Sequence, residues 1–401
     1  MSMGFKGGIR LDHRLPKNLP VTDLEMPNRL FIDIPSDFTV RINDTDVVSL
    51  DTVIADHEDG SVIRANICGI VSAVNRDHVE IIPLESEDLK YHPICQRIQD
   101  ITPKEIVEHI SWSGLLSENG VPMWRMLEPL ISSAELLIIN AVETESGVSC
   151  KHAMLHNYQD CIVGGMKIVM KALGIGKAIV AMSEDMQYEA NIFRGALKNK
   201  DMVDILSVCA KYPAENSRVL FSCLTGSRVS PSSRKAVMIT VQDCIWVYDL
   251  FLNGRVIPKR VLTVNGQNYR VYIGTPLSEM SDLCGFVPEE GYICHVGGLV
   301  SAEIATNNAR VQVGTYGVQY LPSISFETSG CIRCGRCSLY CPMMLVPSAF
   351  VPESNERLCN KQIESCIECG VCTAVCPVGI SPLDAILRYK SGGKIKKEDK
   401  V

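Results

Sequence analysis

At 401 residues, with 46% hydrophobic and 21% charged side chains, the chain has the composition of a folded protein of about two to four domains. A formal net charge of −7 argues against a nucleic-acid binder, which would carry a basic surface. The opening Met1-Ser2-Met3-Gly4-Phe5-Lys6-Gly7-Gly8 lacks the apolar stretch of a signal peptide, and the most apolar long window, 161–182, is broken by Lys167, Lys171 and Lys177, so no run reaches a membrane span.

In chain order, residues 27–85 read as short strands. Leu30–Ile34, Phe38–Ile42, Val47–Leu50, Val53–Ala55, Ser61–Ala65 and Gly69–Val74 are separated by Pro, Asn and Asp turn residues, a spacing that suggests a small barrel or sandwich. A helix is expected after Thr102, where Thr102-Pro103-Lys104-Glu105 combines a capping Thr, a proline at the first helical position and a Glu three residues after the cap. From residue 135 strands and helices alternate: strand 135–140, helix 157–174, strand Ala178–Met182, helix 184–199 and strand Val203–Val208. That alternation predicts a parallel sheet whose ligands bind at the carboxyl ends of the strands, where Asn140, Glu143 and Glu145 fall. Residues 236–285 return to β character, with a hairpin turning at Asn265-Gly266, and further β-like sequence runs to about 320. The lysine-rich end, 391–401, reads as a frayed tail.

The most specific feature lies near the C-terminus. Cys331-Ile-Arg-Cys334-Gly-Arg-Cys337-Ser-Leu-Tyr-Cys341-Pro342 recurs as Cys366-Ile-Glu-Cys369-Gly-Val-Cys372-Thr-Ala-Val-Cys376-Pro377. Each copy is C-x2-C-x2-C-x3-C-P, the run that wraps a [4Fe-4S] cluster with three thiolates and gives its fourth to the neighbouring cluster. The expected ligand sets are Cys331, Cys334, Cys337 and Cys376 for one cluster, and Cys366, Cys369, Cys372 and Cys341 for the other. Gly335 and Gly370 permit the tight turns, and zinc would instead favour two separated pairs. The remaining ten of 18 cysteines (Cys68, Cys95, Cys150, Cys161, Cys209, Cys223, Cys244, Cys284, Cys294, Cys359) show no paired spacing and read as small buried hydrophobes in a reducing interior. Free thiols beside cysteine-ligated clusters suggest a host that lives without oxygen.

The Phe5-Lys6-Gly7-Gly8-Ile9 opening, the early β region, the α/β segment, the hairpin strand followed by Gly274-Thr275-Pro276-Leu277, and the tandem cysteine runs together resemble the RnfC-like electron-transfer family. The resemblance covers most of the chain in the same order and is strongest at 135–182 and 331–377. That family includes the NADH-facing subunit of the Rnf ferredoxin:NAD oxidoreductase and the relatives PduS and PrdC. It implies a multidomain α+β protein. The expected domains are a β barrel-sandwich (1–100), an α/β flavin and NADH domain similar to the complex I flavoprotein (101–235), a β-grasp domain (236–322), a helical dicluster ferredoxin domain (323–392) and a tail (393–401).

The resemblance also brings FMN and NADH as cofactors, and here the chain departs from its family. The family's glycine loop, G-x-G-G-A-G-F-P-T, reads Leu115-Leu116-Ser117-Glu118-Asn119-Gly120-Val121-Pro122-Met123, keeping only Gly120 and Pro122. The family's N-G-A-E-C-E-P appears as Asn140-Ala141-Val142-Glu143-Thr144-Glu145-Ser146. Gly120, Asn140, Glu143 and Glu145 are therefore the candidate FMN and NADH contacts, while Leu115, Ser117 and Glu118 oppose a bound phosphate. The reading this favours is an iron-sulfur protein relaying electrons through two [4Fe-4S] clusters to or from a partner reductase, as PrdC does. The alternatives are an NADH-oxidising FMN/Fe-S subunit of an Rnf-type complex or PduS-like reductase, and a binding or scaffold module with structural clusters. The expected setting is cytoplasmic, with a partner redox protein, membrane contact only through partners, and scope for oligomers.

Three further stretches are weighed against plainer readings. Cys150-Lys151-His152-Ala153-Met154-Leu155-His156 offers metal donors at no recognised spacing, Cys223 reads as a buried thiol, and Gly174 as a helix cap in a stretch that lacks phosphate-loop spacing.

Overall fold

The computed structural model describes residues 3–12, 19–50, 52–65, 67–84, 93–197, 202–227, 235–254, 259–323, 330–351 and 363–391. Cys359 and the lysine-rich tail beyond residue 391 lie outside them.

Short strands fill the first part of the chain: β1 Val21–Asp23, β2 Leu30–Asp33, β3 Thr39–Val40, β4 Val47–Val48, β5 Val53–Asp56, β6 Val62–Arg64, β7 Gly69–Val74 and β8 His78–Pro83. Strands β2, β8, β7 and β4 make one antiparallel sheet in that order, and β3, β5 and β6 make a second. Leu30, Ile32, Ile54, Val71, Val79 and Ile81 point into one shared apolar core. Neither sheet includes β1.

The middle of the chain begins with α1 Pro103–Ser113, where Thr102 and Glu105 form the expected capping box and Gly114 closes the helix in a left-handed conformation. There follow α2 Met123–Leu127, β9 Leu136–Asn140, α3 Cys150–Asn157, α4 Gln159–Leu173, β10 Ala178–Ser183, α5 Gln187–Ala196, β11 Val203–Val208, α6 Ser217–Thr225, β12 Ala236–Thr240 and α7 Val241–Leu252. The sheet order is β11-β10-β9-β12, with every pair parallel. From β9 the chain steps outward to β10 and β11, then returns to β12 on the other side of β9. The strand order therefore reverses between β9 and β12, the place where open parallel sheets bind ligands.

Residues 236–252 correct the expectation of β character across 236–285. Ala236–Thr240 joins the parallel sheet, and Val241–Leu252 is a helix packed on α4. The contact between these helices is so close that a Cβ at Gly165 would lie 1.9 Å from the Cys244 carbonyl oxygen. The α/β architecture thus extends past the point where the sequence placed the change.

Strands β13 Lys259–Val264, β14 Gln267–Tyr272, β15 Tyr292–Val296, β16 Glu303–Ile304 and β17 Gly317–Pro322 join β1 in a six-stranded mixed sheet, β1-β14-β13-β17-β15-β16. The hairpin is as expected: Asn265 and Gly266 both take positive φ, 45° and 78°, which a two-residue type I′ turn requires. The early strand β1 pairs in parallel with β14, far from its sequence neighbours. In the last region the helices Arg336–Leu339, Val371–Ala374 and Pro382–Lys390 carry and flank the cysteine runs. Among the described residues no helix is long and apolar enough to cross a membrane.

Candidate functional site

The two cysteine runs fold alike. Gly335 (φ 75°) and Gly370 (φ 73°) are left-handed and open the short helices Arg336–Leu339 and Val371–Ala374, as the spacing anticipated. Arg333 and Glu368, equivalent positions before the second cysteine of each run, are also left-handed (φ 54° and 58°), which the sequence did not signal. This turn brings the Arg333 and Glu368 amides back to donate to the sulfurs of Cys331 (3.4 Å) and Cys366 (3.5 Å). Leu345 donates likewise to Cys341 Sγ at 3.4 Å. Amide bonds of this kind favour thiolate sulfur over thiol.

The runs wrap two cavities. One is lined by Cys341, Cys366, Cys369 and Cys372 with Met343, Leu345 and Ile386. The other is lined by Cys331, Cys334, Cys337 and Cys376 with Val351, Val378 and Ile380. Each cavity thus draws three cysteines from one run and the fourth from the other. Among the described residues no group of three or more His, Cys, Asp or Glu side chains converges tightly enough for a single metal ion. Thiols set around a void suit a polynuclear cluster better than tetrahedral zinc, whose sulfurs sit about 2.3 Å from the metal. Burial pushes the Cys369 and Cys372 thiols up to about 12, so binding of a metal cluster there would displace their protons. The donor sets and their apolar walls fit [4Fe-4S] clusters.

The two cavities differ in setting. Tyr212 Oη donates to the Cys369 carbonyl at 2.7 Å, and a Cβ on Gly370 would meet the Val300 carbonyl oxygen at 2.9 Å. The Cys366–Cys372 turn therefore lies against the α/β sheet and the 300s loop. The loop is itself held by Glu145, which accepts from the amides of Val300 (3.0 Å) and Ser301 (2.7 Å) and from Tyr316 Oη (2.8 Å). Around the other cavity Cys334 is exposed, as are Ile332 and Leu339.

The second site is the strand-order reversal of the α/β sheet. Asn140 ends β9; its Nδ2 donates to the Glu215 carbonyl (2.7 Å) and its Oδ1 accepts from the Val142 amide (3.1 Å). Glu143 caps α3, accepting from the amides of Lys151 (3.0 Å) and His152 (3.2 Å) and from Cys150 Sγ (3.2 Å). Asn140, Glu143 and Glu145 are all buried, and each is bonded within the protein.

The loop 115–123 lies beside them. Its ends are tied by Met123 N to Leu115 O (2.9 Å) and Ser117 N to Val121 O (2.8 Å), and Gly120 N donates to Ser117 O (2.8 Å) with Gly120 at φ 75°. Glu118 N donates to Asp243 Oδ1 at 2.7 Å. The Glu118 carboxylate pairs with Arg260 at 2.7 Å, and the Arg260 side chain is 0% exposed. Arg260 also donates to the Val313 carbonyl. Burial opposes ionisation of Glu118, but Arg260 and then Lys151 outweigh it and hold the carboxyl below its ordinary value. Asp243 is pushed up to about 7, first by burial and then by the Glu118 charge; burial likewise takes Glu215 to about 7. Ser117 Oγ and Arg260 Nε are buried without a hydrogen-bond partner among the described residues.

Sequence reasoning missed Arg260 and Asp243. Asp243 was visible as the end of Thr240-Val241-Gln242-Asp243, which forms a capping box. Arg260 stood out only as a charge beside the apolar Val261-Leu262 strand. Two other candidates take their plain readings: His152 and His156 both bond Glu189 Oε1 (3.2 and 3.3 Å), and Gly174 is a left-handed helix cap. Cys223, expected to be buried, is half-buried instead, and partial burial raises its thiol to about 11.

Comparison with known proteins fits this division. Residues 112–248 match the Nuo51 FMN-binding domain and residues 330–380 the 4Fe-4S dicluster domain. The chain is 28% identical over 293 residues to the C-type component of the ion-translocating oxidoreductase complex of Buchnera aphidicola, covering 67% of this chain and only 57% of that relative. It is 25% identical over 387 residues to the corresponding component of the proton-translocating ferredoxin:NAD(+) oxidoreductase complex of Clostridium ljungdahlii, covering 87% of this chain and 84% of the relative. An NAD+-reducing [NiFe]-hydrogenase structure in the H2-reduced state shares the fold at TM-score 0.53 and 15% identity, over 76% of this chain and 66% of that one. FMN and [4Fe-4S] clusters are the cofactors of the two matched domain families. With relatives from these oxidoreductase complexes matching along most of its length, and an FMN-binding and a dicluster domain matched within one chain, the chain is similar to the RnfC-like family.

Proposed function

We propose that this chain is an electron-transfer protein that holds two [4Fe-4S] clusters and relays electrons between a redox donor and a partner reductase. The observation that carries the reading is the crossed lining of the two cavities, Cys331, Cys334, Cys337 and Cys376 in one and Cys366, Cys369, Cys372 and Cys341 in the other. When bound, the clusters supply one-electron redox chemistry. The chain's own residues fix the sulfurs through the Arg333, Glu368 and Leu345 amides, and Leu345, Ile386, Val378 and Ile380 limit water around them. The Cys366–Cys372 set, seated against the α/β sheet, is the inner station. The set containing the exposed Cys334 is the outer one, facing a partner redox protein.

The four-part organisation belongs to this proposal: a barrel-sandwich built on the two N-terminal sheets, an α/β flavoprotein-type domain extended to include residues 236–252, a β-grasp domain on the six-stranded sheet, and a dicluster ferredoxin domain. Assembly with an Rnf-type or other reductase complex is supported by the names of the oxidoreductase-complex relatives; a cytoplasmic setting, with membrane contact only through partners, belongs to the same proposal. A second reading, an NADH-oxidising FMN/Fe-S protein, is favoured by the match to the FMN-binding domain. Anaerobic redox titration followed by electron paramagnetic resonance tests the relay: two reversible one-electron centres are expected, and clusters that do not cycle would leave only a structural role.

A further inference from the structure

We infer that the α/β domain carries its own anion, the Glu118 carboxylate on Arg260, where flavoproteins of this fold admit a phosphate, and that the nucleotide site of this chain is closed. Three observations converge at the reversal between β9 and β12. First, the loop amides that a phosphate would need are already bonded: Ser117 N to Val121 O, Gly120 N to Ser117 O, and Glu118 N to the Asp243 carboxylate. Second, Arg260, a bidentate phosphate ligand by its chemistry, is fully buried and paired with Glu118 at 2.7 Å. Third, the buried acidic side chains Glu143 and Asp243 crowd the same corner, so a dianionic phosphate would enter a low-dielectric setting against the Glu118 and Glu143 carboxylates, with Asp243 adding like charge once it ionises.

The sequence departure explains the geometry. A glycine at 118 would leave that side of the loop without a side chain, whereas Glu118 fills it with a carboxylate and supplies Arg260 with its counter-ion. The residues kept from the family motif, Asn140, Glu143 and Glu145, hold α3, the Glu215 segment and the 300s loop instead of a ligand. The domain persists as the platform on which the Cys369–Gly370 turn rests, through Tyr212 and Val300. Electrons consequently reach the inner cysteine set from a protein partner and not from a flavin bound at this loop; this step rests on the relay reading.

The test uses the full chain, prepared anaerobically with its clusters reconstituted. Bound flavin is extracted and measured, then the protein is dialysed against excess FMN and, separately, NADH. The wild-type chain should retain well under one FMN and take up neither ligand. Glu118→Gly, which frees Arg260 and removes the carboxylate, should gain FMN affinity by about tenfold or more. One FMN per wild-type chain, as isolated or after dialysis, overturns the inference. Because that measurement needs no variant, a misfolded Glu118→Gly leaves the inference still open to refutation. Iron and sulfide measured on the same sample report the relay reading separately, so failure of one is distinguishable from failure of the other.

Discussion

Replacing Arg260 by Met removes the guanidinium that neutralises Glu118 while keeping most of the apolar volume. Glu118 would then be a carboxylate of 11% exposure with no cation in contact. Stranding one partner of a buried ion pair costs about 4 kcal/mol, far more than an exposed pair is worth. The three tryptophans, Trp112, Trp124 and Trp246, all lie in or beside the α/β domain, so their fluorescence follows its unfolding. With a urea dependence of about 2 kcal/mol per molar, the unfolding midpoint should fall by about 2 M. Adding Glu118→Gln to Arg260→Met should restore much of the loss, because a neutral amide is less costly to bury than an unpaired charge. The pH dependence has a definite sign. In the wild type the folded Glu118 value is lowered, so its contribution is present above the ordinary carboxylate range and lost as pH falls through the folded value. In Arg260→Met only Lys151 and the Thr240 hydrogen bond are left to oppose burial, the folded value rises relative to the wild type, and protonation relieves the variant. The gap between the two proteins should therefore narrow from about pH 7 to about pH 5. A midpoint shift below about 0.5 M, or a gap that does not depend on pH, would refute the pairing as the feature that closes the loop.

Three other perturbations probe the same geometry. Cys376→Ser should leave the spectrum left by Cys331→Ser, and Cys341→Ser that left by Cys366→Ser; partners grouped by run instead of by cavity would disprove the crossed ligation. Gly165→Ala places a Cβ 1.9 Å from the Cys244 carbonyl and should destabilise the α4–α7 contact by about 2 kcal/mol or more, read from the same tryptophan midpoint. Asp243, raised from 3.8 to about 7 in the fold, keeps a proton that the unfolded chain releases, so its contribution falls as pH rises across that interval; Asp243→Asn should flatten this component of a urea midpoint series.

What the sequence disclosed and what it concealed have separate physical causes. The cysteine runs, the left-handed Gly335 and Gly370, the Thr102 capping box and the Asn265-Gly266 hairpin were readable because each depends on a few adjacent residues. Helix α7 was not, since ten of its twelve residues are buried and it therefore shows no apolar stripe to separate it from β sequence. Helix α3 has almost no amphipathic pattern and is capped by Glu143 from the preceding loop. Strand β1 pairs with β14 across almost 250 residues, a contact that no local rule reveals. At the reversal of the sheet, the eroded glycine loop showed where a phosphate would be opposed, but Arg260, which completes the closure, comes from a strand well over a hundred residues later.

The most direct test of the relay is the cluster content and reversibility of the anaerobically isolated chain. About eight irons and eight sulfides per chain, with two reversible one-electron transitions, are the predicted result. Zinc in their place, a single cluster, or clusters that cannot be reduced and reoxidised would contradict it.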